Sequence, residues 1–416
     1  MSVVKPVRGT HDLIGDEAKN HQYVMQTAKN ITSLYGFEEW ITPVFEETGV
    51  FARSLGDTSD IVSKEMYTFQ DRGGDSLTLR PEGTAGICRA LVTNALTQTL
   101  PQKVFYAGPM FRYERPQKGR YRQFHQIGAE LLGTATPFAD AEMIAMGQHI
   151  LNALGISDNV VLELNTLGDL ISRQAWREAL IAYFKTVKSE LSEDSQNRLE
   201  KNPLRILDSK AAQDRALLDH APLMKDYMTP TALEFWDRLR KALDQFKIPF
   251  RENYYIVRGL DYYSHTVFEF VTTKLGSQGT VLAGGRYEGL VAEMGGPSVP
   301  AIGWAAGVER LALLLNSIPV QPKSVAIIVF SDAVHEMAFT VLQLLRTHKI
   351  AAEMTYKGNF RKQMEWANKR KASIALLIGE DEATKQVVQL KDLNSGEQVE
   401  VALHNLVSQL ILKLAK

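Results

Sequence analysis

The sequence predicts a mixed α/β (α+β) protein of two to three domains, and three observations carry that reading. Two runs of alternating apolar residues, 104–110 and 124–132, flank a basic tip and read as a pair of antiparallel strands. Residues 170–247 change character, to long polar helices with many charges and no strand pattern, as a helical insertion between parts of one sheet would. Beyond a proline-marked linker at 319–322 the pattern becomes β-α-β-α-β, with two further strands and a closing helix. At 416 residues and 45% hydrophobic content the chain has ample material for a large core.

Composition bounds the function. A net charge of -1 gives no global positive field, so any nucleic-acid binding must rest on local basic patches. Cys88 is the only cysteine, which excludes intrachain disulfides and cysteine metal clusters and points to a reducing, cytoplasmic setting. It sits in the helical pattern GTAGICRALV and reads as a buried packing residue. No charged-then-apolar leader and no bilayer-length apolar run are present, so neither a signal peptide nor a membrane partner is expected.

Taken in order, residues 1–15 form an arm whose RGTHD (8–12) is rich in turn formers. A helix over 16–35 follows, with Val24, Ala28, Ile31 and Tyr35 at helical spacing; Gly36 ends it, and a strand over 37–42 runs into Pro43. Strands at 67–70 and 77–79 pair across Gly73 and Gly74, and Pro81 ends the second. Glu82 and Thr84 then open a helix, where free backbone N–H groups and a carboxylate can surround a small zwitterion; an ordinary helix N-terminus is the alternative.

The stretch 111–130, FRYERPQKGRYRQFHQIGAE, packs five cations and one acid between Arg112 and Arg122. Its tip rests on Pro116 and Gly119, and the two-residue period puts Arg122, Phe124, Gln126, Gly128 and Glu130 on one face of the returning strand. Gly128 leaves room for a flat ligand between Gln126 and Glu130. A solvated surface hairpin is the alternative, and Glu130 argues against it: set among Ile127, Ala129, Leu131 and Leu132, its charge is costly unless a partner meets it.

A helix over 139–154 and a strand over 159–165 precede the insertion, and strands return at 254–257 and 266–272. Between them lies RGLDYY, where Gly259 lets backbone approach a ligand beside Arg258; packing residues are the alternative for Tyr262 and Tyr263. In AGGRYEG, from Ala283, Gly284 and Gly285 offer the same freedom and Tyr287 can close a pocket. AIGWAAGVERLALLL is a strand turning into a helix near Val308 and carries Arg310. The final domain has strands at 325–330, 351–356, 374–379 and near Val387 and Val399, with helices ending at Arg346, spanning 359–371 and closing at 406–414. Arg361, Lys362, Lys369, Arg370 and Lys371 make either a solvated face or an RNA-backbone surface. Periodicity alone reaches an ATP- or anion-binding α/β enzyme.

The 111–130 stretch resembles motif 2 of the class II aminoacyl-tRNA synthetases, in the form found in histidyl-tRNA synthetases. LRPEGT, RGLDYY and AGGRYEG resemble signature elements of the same family, the helix–strand–Pro43 run is similar to motif 1, and GVER to motif 3. The family more often carries aspartate where this chain has Glu288, which leaves only that residue's role in doubt. The resemblance covers nearly all of the chain outside the insertion. It implies a class II antiparallel sheet flanked by helices over 1–320, an insertion at 170–247 reaching toward the tRNA acceptor arm, with a solvated spacer as the equal alternative by composition, and an anticodon-binding domain over 323–416.

The implied reaction is activation of histidine by ATP to histidyl-adenylate, then transfer to the 3′ end of histidine tRNA, in a homodimer joined through motif 1. Arg258 and Arg112 would hold the carboxylate and α-phosphate, Arg120 and Arg310 the β- and γ-phosphates, with Mg2+ on ligands left unassigned. Glu130 would accept the imidazole N–H, with Glu82, Thr84 and Gln126 on the amino group and Tyr262, Tyr263 and Tyr287 lining the pocket. Phe124 would stack on adenine, a core aromatic being its alternative, and Arg115 and Gln117 would meet the acceptor end. The rival from another class is the synthetase-like regulatory subunit of ATP phosphoribosyltransferase; such relatives generally lack the C-terminal domain and lose the cationic hairpin.

Overall fold

The computed structural model describes residues 3–55, 61–257, 263–276, 279–316 and 324–414. The chain divides into two units, Met1–Ile318 and Pro319–Lys416. In the first, Asp16–Leu34 is helical because Val24 and Ala28 lie one turn apart and bury completely. The strand expected over 37–42 shrinks to β1 (Glu38–Glu39). Trp40 still donates its N–H to the Phe105 carbonyl at 2.9 Å, but the Thr42 carbonyl accepts from the Arg80 guanidinium at 3.0 Å, and Pro43 then removes a donor. The chain is thereby drawn off the sheet edge.

β2 (Phe45–Glu47), β3 (Tyr67–Gln70) and β4 (Ser76–Leu79) form a small antiparallel sheet of their own, ordered β2-β4-β3. The large sheet is built from β1, β5 (Gln102–Phe111), β6 (Gln123–Leu132), β7 (Val161–Thr166), β8 (Arg251–Glu252), β9 (Tyr263–Val271), β10 (Thr280–Tyr287) and β11 (Ala301–Gly307). Its order is β1-β5-β6-β11-β10-β9-β7-β8, antiparallel except for the outermost pairs β1/β5 and β7/β8.

Helices Asp16–Leu34, Pro137–Ala153 and Pro230–Gln245 contribute to one core with Ile127, Ala129, Leu131 and Trp304 of the sheet. By the two-residue period, Glu130 and Gly303 between them face the other way. One face of the sheet is therefore packed with these three helices, and the other carries Glu130 and Gly303 beside a smaller apolar cluster of Ile87, Cys88, Leu91, Tyr106 and Leu132.

Residues 254–257 are a turn where a strand was expected. Asn253 accepts the Tyr255 N–H through its side chain at 3.1 Å and the Ile256 N–H through its carbonyl at 3.2 Å. The buried amide of Asn165 donates to the Ile256 carbonyl at 2.9 Å, so side chains satisfy backbone groups that a ladder would have used. Within 170–247, helices Leu170–Thr186, Glu193–Lys201 and Ala212–Leu218 pack around a separate core with Trp176, Leu180 and Phe184. Helix Pro230–Gln245 instead lends Trp236, Leu239 and Leu243 to the main core.

The second unit has β12 (Val325–Val329), β13 (Ala352–Met354), β14 (Ile374–Ile378), β15 (Val387–Asp392) and β16 (Gln398–Ala402), ordered β13-β12-β14-β15-β16. The first three are mutually parallel and the last two antiparallel, with helices His335–Thr347, Phe360–Lys369 and Leu403–Leu414 between and after them. A short helix, Glu380–Lys385, had no periodicity signal. Arg361 pairs with Glu365 and Arg370 with Glu353, at 3.0 and 2.8 Å.

Candidate active site

The polar face of the large sheet carries a cleft of about 340 Å3. Glu82, Thr84, Arg112, Arg120, Phe124, Gln126, Glu130, Tyr263, Tyr287 and Arg310, all singled out in the sequence, line it together. They come from five places: the start of helix Thr84–Thr93, the β5–β6 hairpin, β9, β10, and helix Val308–Leu314.

At the closed end Glu130 is only 1% exposed. Its two oxygens accept from the Thr84 hydroxyl and the Tyr287 hydroxyl, each at 2.8 Å. Burial pushes the Glu130 carboxyl up to about 8, against those two hydrogen bonds, which pull it down. Gly303, its partner in the β6/β11 register, makes this possible: a Cβ there would lie 1.6 Å from Glu130 Oε2. Glu82 accepts from the backbone N–H groups of Thr84 and Ala85 at 2.6 and 2.8 Å, and burial raises its pKa against those bonds. It caps its helix, as the ordinary reading of the motif had it, while also lining the cleft. Gln126 turns a buried Oε1 with no hydrogen-bond partner in the same region. A short-range acceptor set thus surrounds a space able to hold a small ligand rich in N–H donors.

At the open end stand the cations. Arg112 donates to the Pro81 carbonyl at 2.8 Å and lies over the Phe124 ring, 5.4 Å from its centroid. Arg310 donates to the Gly119 and Thr280 carbonyls at 3.1 and 2.9 Å, and burial lowers its pKa. Arg120 pairs closely with Glu114 and more loosely with Glu65 at 3.7 Å; the Glu114 hydrogen bond raises its pKa. Gln117 and Arg120 close the tip by mutual backbone hydrogen bonds of 3.0 and 2.9 Å, with Gly119 at φ +73°. Arg115 and Gln117 are exposed there, outside the cleft. The arm passes beneath, where the Gly9 carbonyl accepts the Arg122 N–H at 2.8 Å.

Two expectations change. The space over Gly128 is filled by Tyr106, its register partner on β5: a Cβ on Gly128 would lie 2.2 Å from the Tyr106 ring, so the glycine admits a tyrosine, not a ligand. Gly284 and Gly285 likewise admit protein: Cβ atoms there would meet the Gly303 carbonyl at 2.1 Å and the Thr266 carbonyl at 2.6 Å. Close strand packing consumes their freedom. Arg258 and Tyr262 lie outside the described residues. Cys88 is fully buried in helix Thr84–Thr93, as a packing residue.

Other cleft residues had no sequence signal. Glu269 of β9 accepts from the Thr280 hydroxyl of β10 at 2.9 Å, and both line the cleft with Arg310. Behind the cleft, Arg286 (1% exposed) pairs with Asp140 (0% exposed) and donates to the Thr134 carbonyl at 2.8 Å. This pair ties β10 to helix Pro137–Ala153. An arginine between Gly285 and Tyr287, and an aspartate inside PFADAEMIAM, were the available hints.

The chain resembles known proteins over nearly its whole length. The family model described as histidyl-tRNA synthetase matches residues 9–311, and that described as anticodon binding domain matches 324–413. The chain is 64% identical over 403 residues to a histidine–tRNA ligase of Gluconacetobacter diazotrophicus, covering 97% of each, and 62% identical to that of Gluconobacter oxydans, covering 98% of each. It is also similar to a crystal structure of the apo histidyl-tRNA synthetase of S. aureus, with TM-score 0.83 and 33% identity over 98% of this chain and 99% of that one.

Proposed function

The chain belongs to the histidyl-tRNA synthetase family, and on that premise we propose that it is a histidine–tRNA ligase whose chemistry runs in the cleft on the polar face of the sheet. Histidine is activated by ATP to histidyl-adenylate and pyrophosphate, then passed to the 3′ end of histidine tRNA. The observation that carries the site reading is the convergence in one cleft of a buried carboxylate, Glu130, with the guanidinium groups of Arg112, Arg120 and Arg310.

Activation needs no protein nucleophile, since a histidine carboxylate oxygen attacks the α-phosphorus and pyrophosphate leaves. Positioning and positive charge do the work. Arg112, with Arg258, holds the carboxylate and α-phosphate; Arg310 and Arg120 face the β- and γ-phosphates, Arg120 exchanging Glu114 for phosphate as ATP arrives. Phe124 stacks on adenine. Mg2+ prefers hard oxygen ligands and takes one or two carboxylates plus phosphate oxygens, and Glu269, beside Arg310 and Thr280, fits that need. Bound there it would neutralise phosphate charge.

At the closed end Glu130 accepts the imidazole N–H, with Thr84 and Tyr287 orienting its oxygens, and Glu82, Thr84 and Gln126 take the amino group. Tyr263 completes the lining, and Tyr262, outside the described residues, is assigned to the same imidazole pocket. Glutamine or tyrosine in this space would leave those polar groups unpaired, which is the basis of rejection.

Arg115 and Gln117 on the exposed tip suit the tRNA acceptor end, the 170–247 helices its acceptor arm, and the 323–416 unit the anticodon. Exposed Ile41, Val44 and Phe45 supply apolar surface near motif 1 that favours a homodimer. A cytoplasmic setting fits the single cysteine, and no helix among the described residues is long and apolar enough to cross a membrane. The regulatory-subunit alternative is disfavoured by the match to the anticodon binding domain and by the intact cationic hairpin. The test is charging of histidine tRNA with labelled histidine: stoichiometric charging supports ligase activity, and its absence alongside measurable histidine binding would favour the regulatory role. Arg258→Ala should lose about 10²-fold in adenylate formation, as for a charge aimed at the transition state; near-normal activation would remove its role.

A further inference from the structure

Beside the cleft, which Glu309 also lines, sits a cluster that the proposed chemistry leaves unused. His21 of helix Asp16–Leu34, His125 of β6 and Glu309 of helix Val308–Leu314 each present one ligand-type atom, and those atoms lie within 4.8 Å of one another. The two imidazoles meet edge to face, centroids 4.3 Å apart. Glu309 is 9% exposed and its Oε1 lies 2.9 Å from His125 Nδ1.

His21 is the telling member. It is 8% exposed, and its Nε2 is buried without a hydrogen-bond partner. An unpaired polar atom in a protein interior costs on the order of 1–3 kcal/mol and calls for an explanation, an unseen ion among them. A cavity of about 280 Å3 lined by His11, Asp12, Gln123, His125 and Glu309 reaches two of the three members and gives an entry path.

We propose that His21, His125 and Glu309 form a binding site for one borderline divalent transition-metal ion, Zn2+ being the best fit, with water as fourth ligand. Two imidazoles and one carboxylate match zinc's nitrogen and oxygen preference, and too few oxygens are present for Ca2+ or Mg2+. Bonds of about 2.0–2.1 Å put tetrahedral ligand atoms about 3.4 Å apart. The ligand atoms lie within 4.8 Å of one another, so the side chains draw together as the ion binds. The ion braces the N-terminal helix, the returning hairpin strand and the helix bearing Arg310. It takes no part in catalysis.

The experiment uses the full-length protein, stripped with chelator and titrated with Co2+ as optical probe in excess Mg2+. One Co2+ per chain should bind with the visible d–d absorption of a four- or five-coordinate ion, and one equivalent of Zn2+ should displace it. His21→Gln should weaken binding by at least about 100-fold, since even partners outside the ligand shell are worth 10–100-fold. Its ATP–pyrophosphate exchange with Mg2+ as the sole added metal should equal that of the unsubstituted protein. X-ray absorption on the Zn2+-loaded natural chain, which needs no variant to fold, should show two imidazoles at about 2.0 Å. Absence of saturable binding up to about 100 µM free metal, equal binding by His21→Gln, or a spectrum without paired imidazoles would each overturn the proposal and leave His125 and Glu309 a plain hydrogen-bonded pair.

Discussion

Replacing Glu130 by glutamine keeps its shape and removes its charge, which makes it the sharpest probe of the closed end. In the ligand-free protein the carboxyl titrates at about 8, because burial outweighs the hydrogen bonds from Tyr287 and Thr84. A neutral imidazole needs the ionised form as acceptor, so the apparent Kd for histidine carries a factor of 1 + 10^(8 − pH). That factor is about 11 at pH 7 and about 1.3 at pH 8.5, so affinity should tighten about eightfold across that interval. Glutamine cannot titrate, so the variant's affinity should lack this slope. It should also be weaker by about 10- to 150-fold, from the roughly 1.5–3 kcal/mol carried by a hydrogen bond to a charged group. Stability has a linked sign: the unfolded carboxyl loses its proton near 4.5 and the folded one near 8, so between these values the folded state holds more protons. Stability of the natural protein should therefore decline as pH rises from about 5 to 8, by about 3.5 kcal/mol, and that decline should be largely absent in Glu130→Gln. Calorimetric histidine titrations at both pH values decide the matter. Parallel pH profiles for the two proteins would refute the placement of imidazole on Glu130.

Gly303→Ala puts a methyl where Glu130 Oε2 sits, 1.6 Å away, and should raise the KM for histidine while the sheet still forms; an unchanged KM would mean that the carboxylate is not confined there. Arg112→Ala should cut ATP–pyrophosphate exchange by about 10²-fold or more with the melting profile nearly preserved, and a small effect would remove it from the α-phosphate. Arg286→Met leaves Asp140 buried and unpaired, and should cost about 3–5 kcal/mol in denaturant unfolding. Adding Asp140→Asn should recover part of that loss; an additive double variant would mean the pair does not couple.

The sequence made the polar face legible because its residues break local rules: a carboxylate among Ile127, Ala129 and Leu131, and five cations on one hairpin. Strong periodicity likewise made the β5–β6 hairpin and helix Asp16–Leu34 plain. What stayed hidden is what depends on distant partners. Asn165 and Asn253 turn 254–257 away from a ladder, and Arg80 takes the Thr42 carbonyl, through contacts 91 and 38 residues apart in the chain. The glycines misled for the same reason: a missing Cβ marks close approach, and only packing tells whether Tyr106, a neighbouring strand or a ligand approaches. His21 and His125 sit on separate elements and carry no shared motif, so only folding reveals their meeting.

The most direct test of the account is amino-acid-dependent ATP–pyrophosphate exchange with the purified protein, each of the twenty amino acids offered in turn. Exchange with histidine alone is predicted, abolished or strongly weakened in Arg112→Ala. Exchange with a different amino acid, or with none while histidine still binds, would contradict the assignment of this cleft to histidine activation.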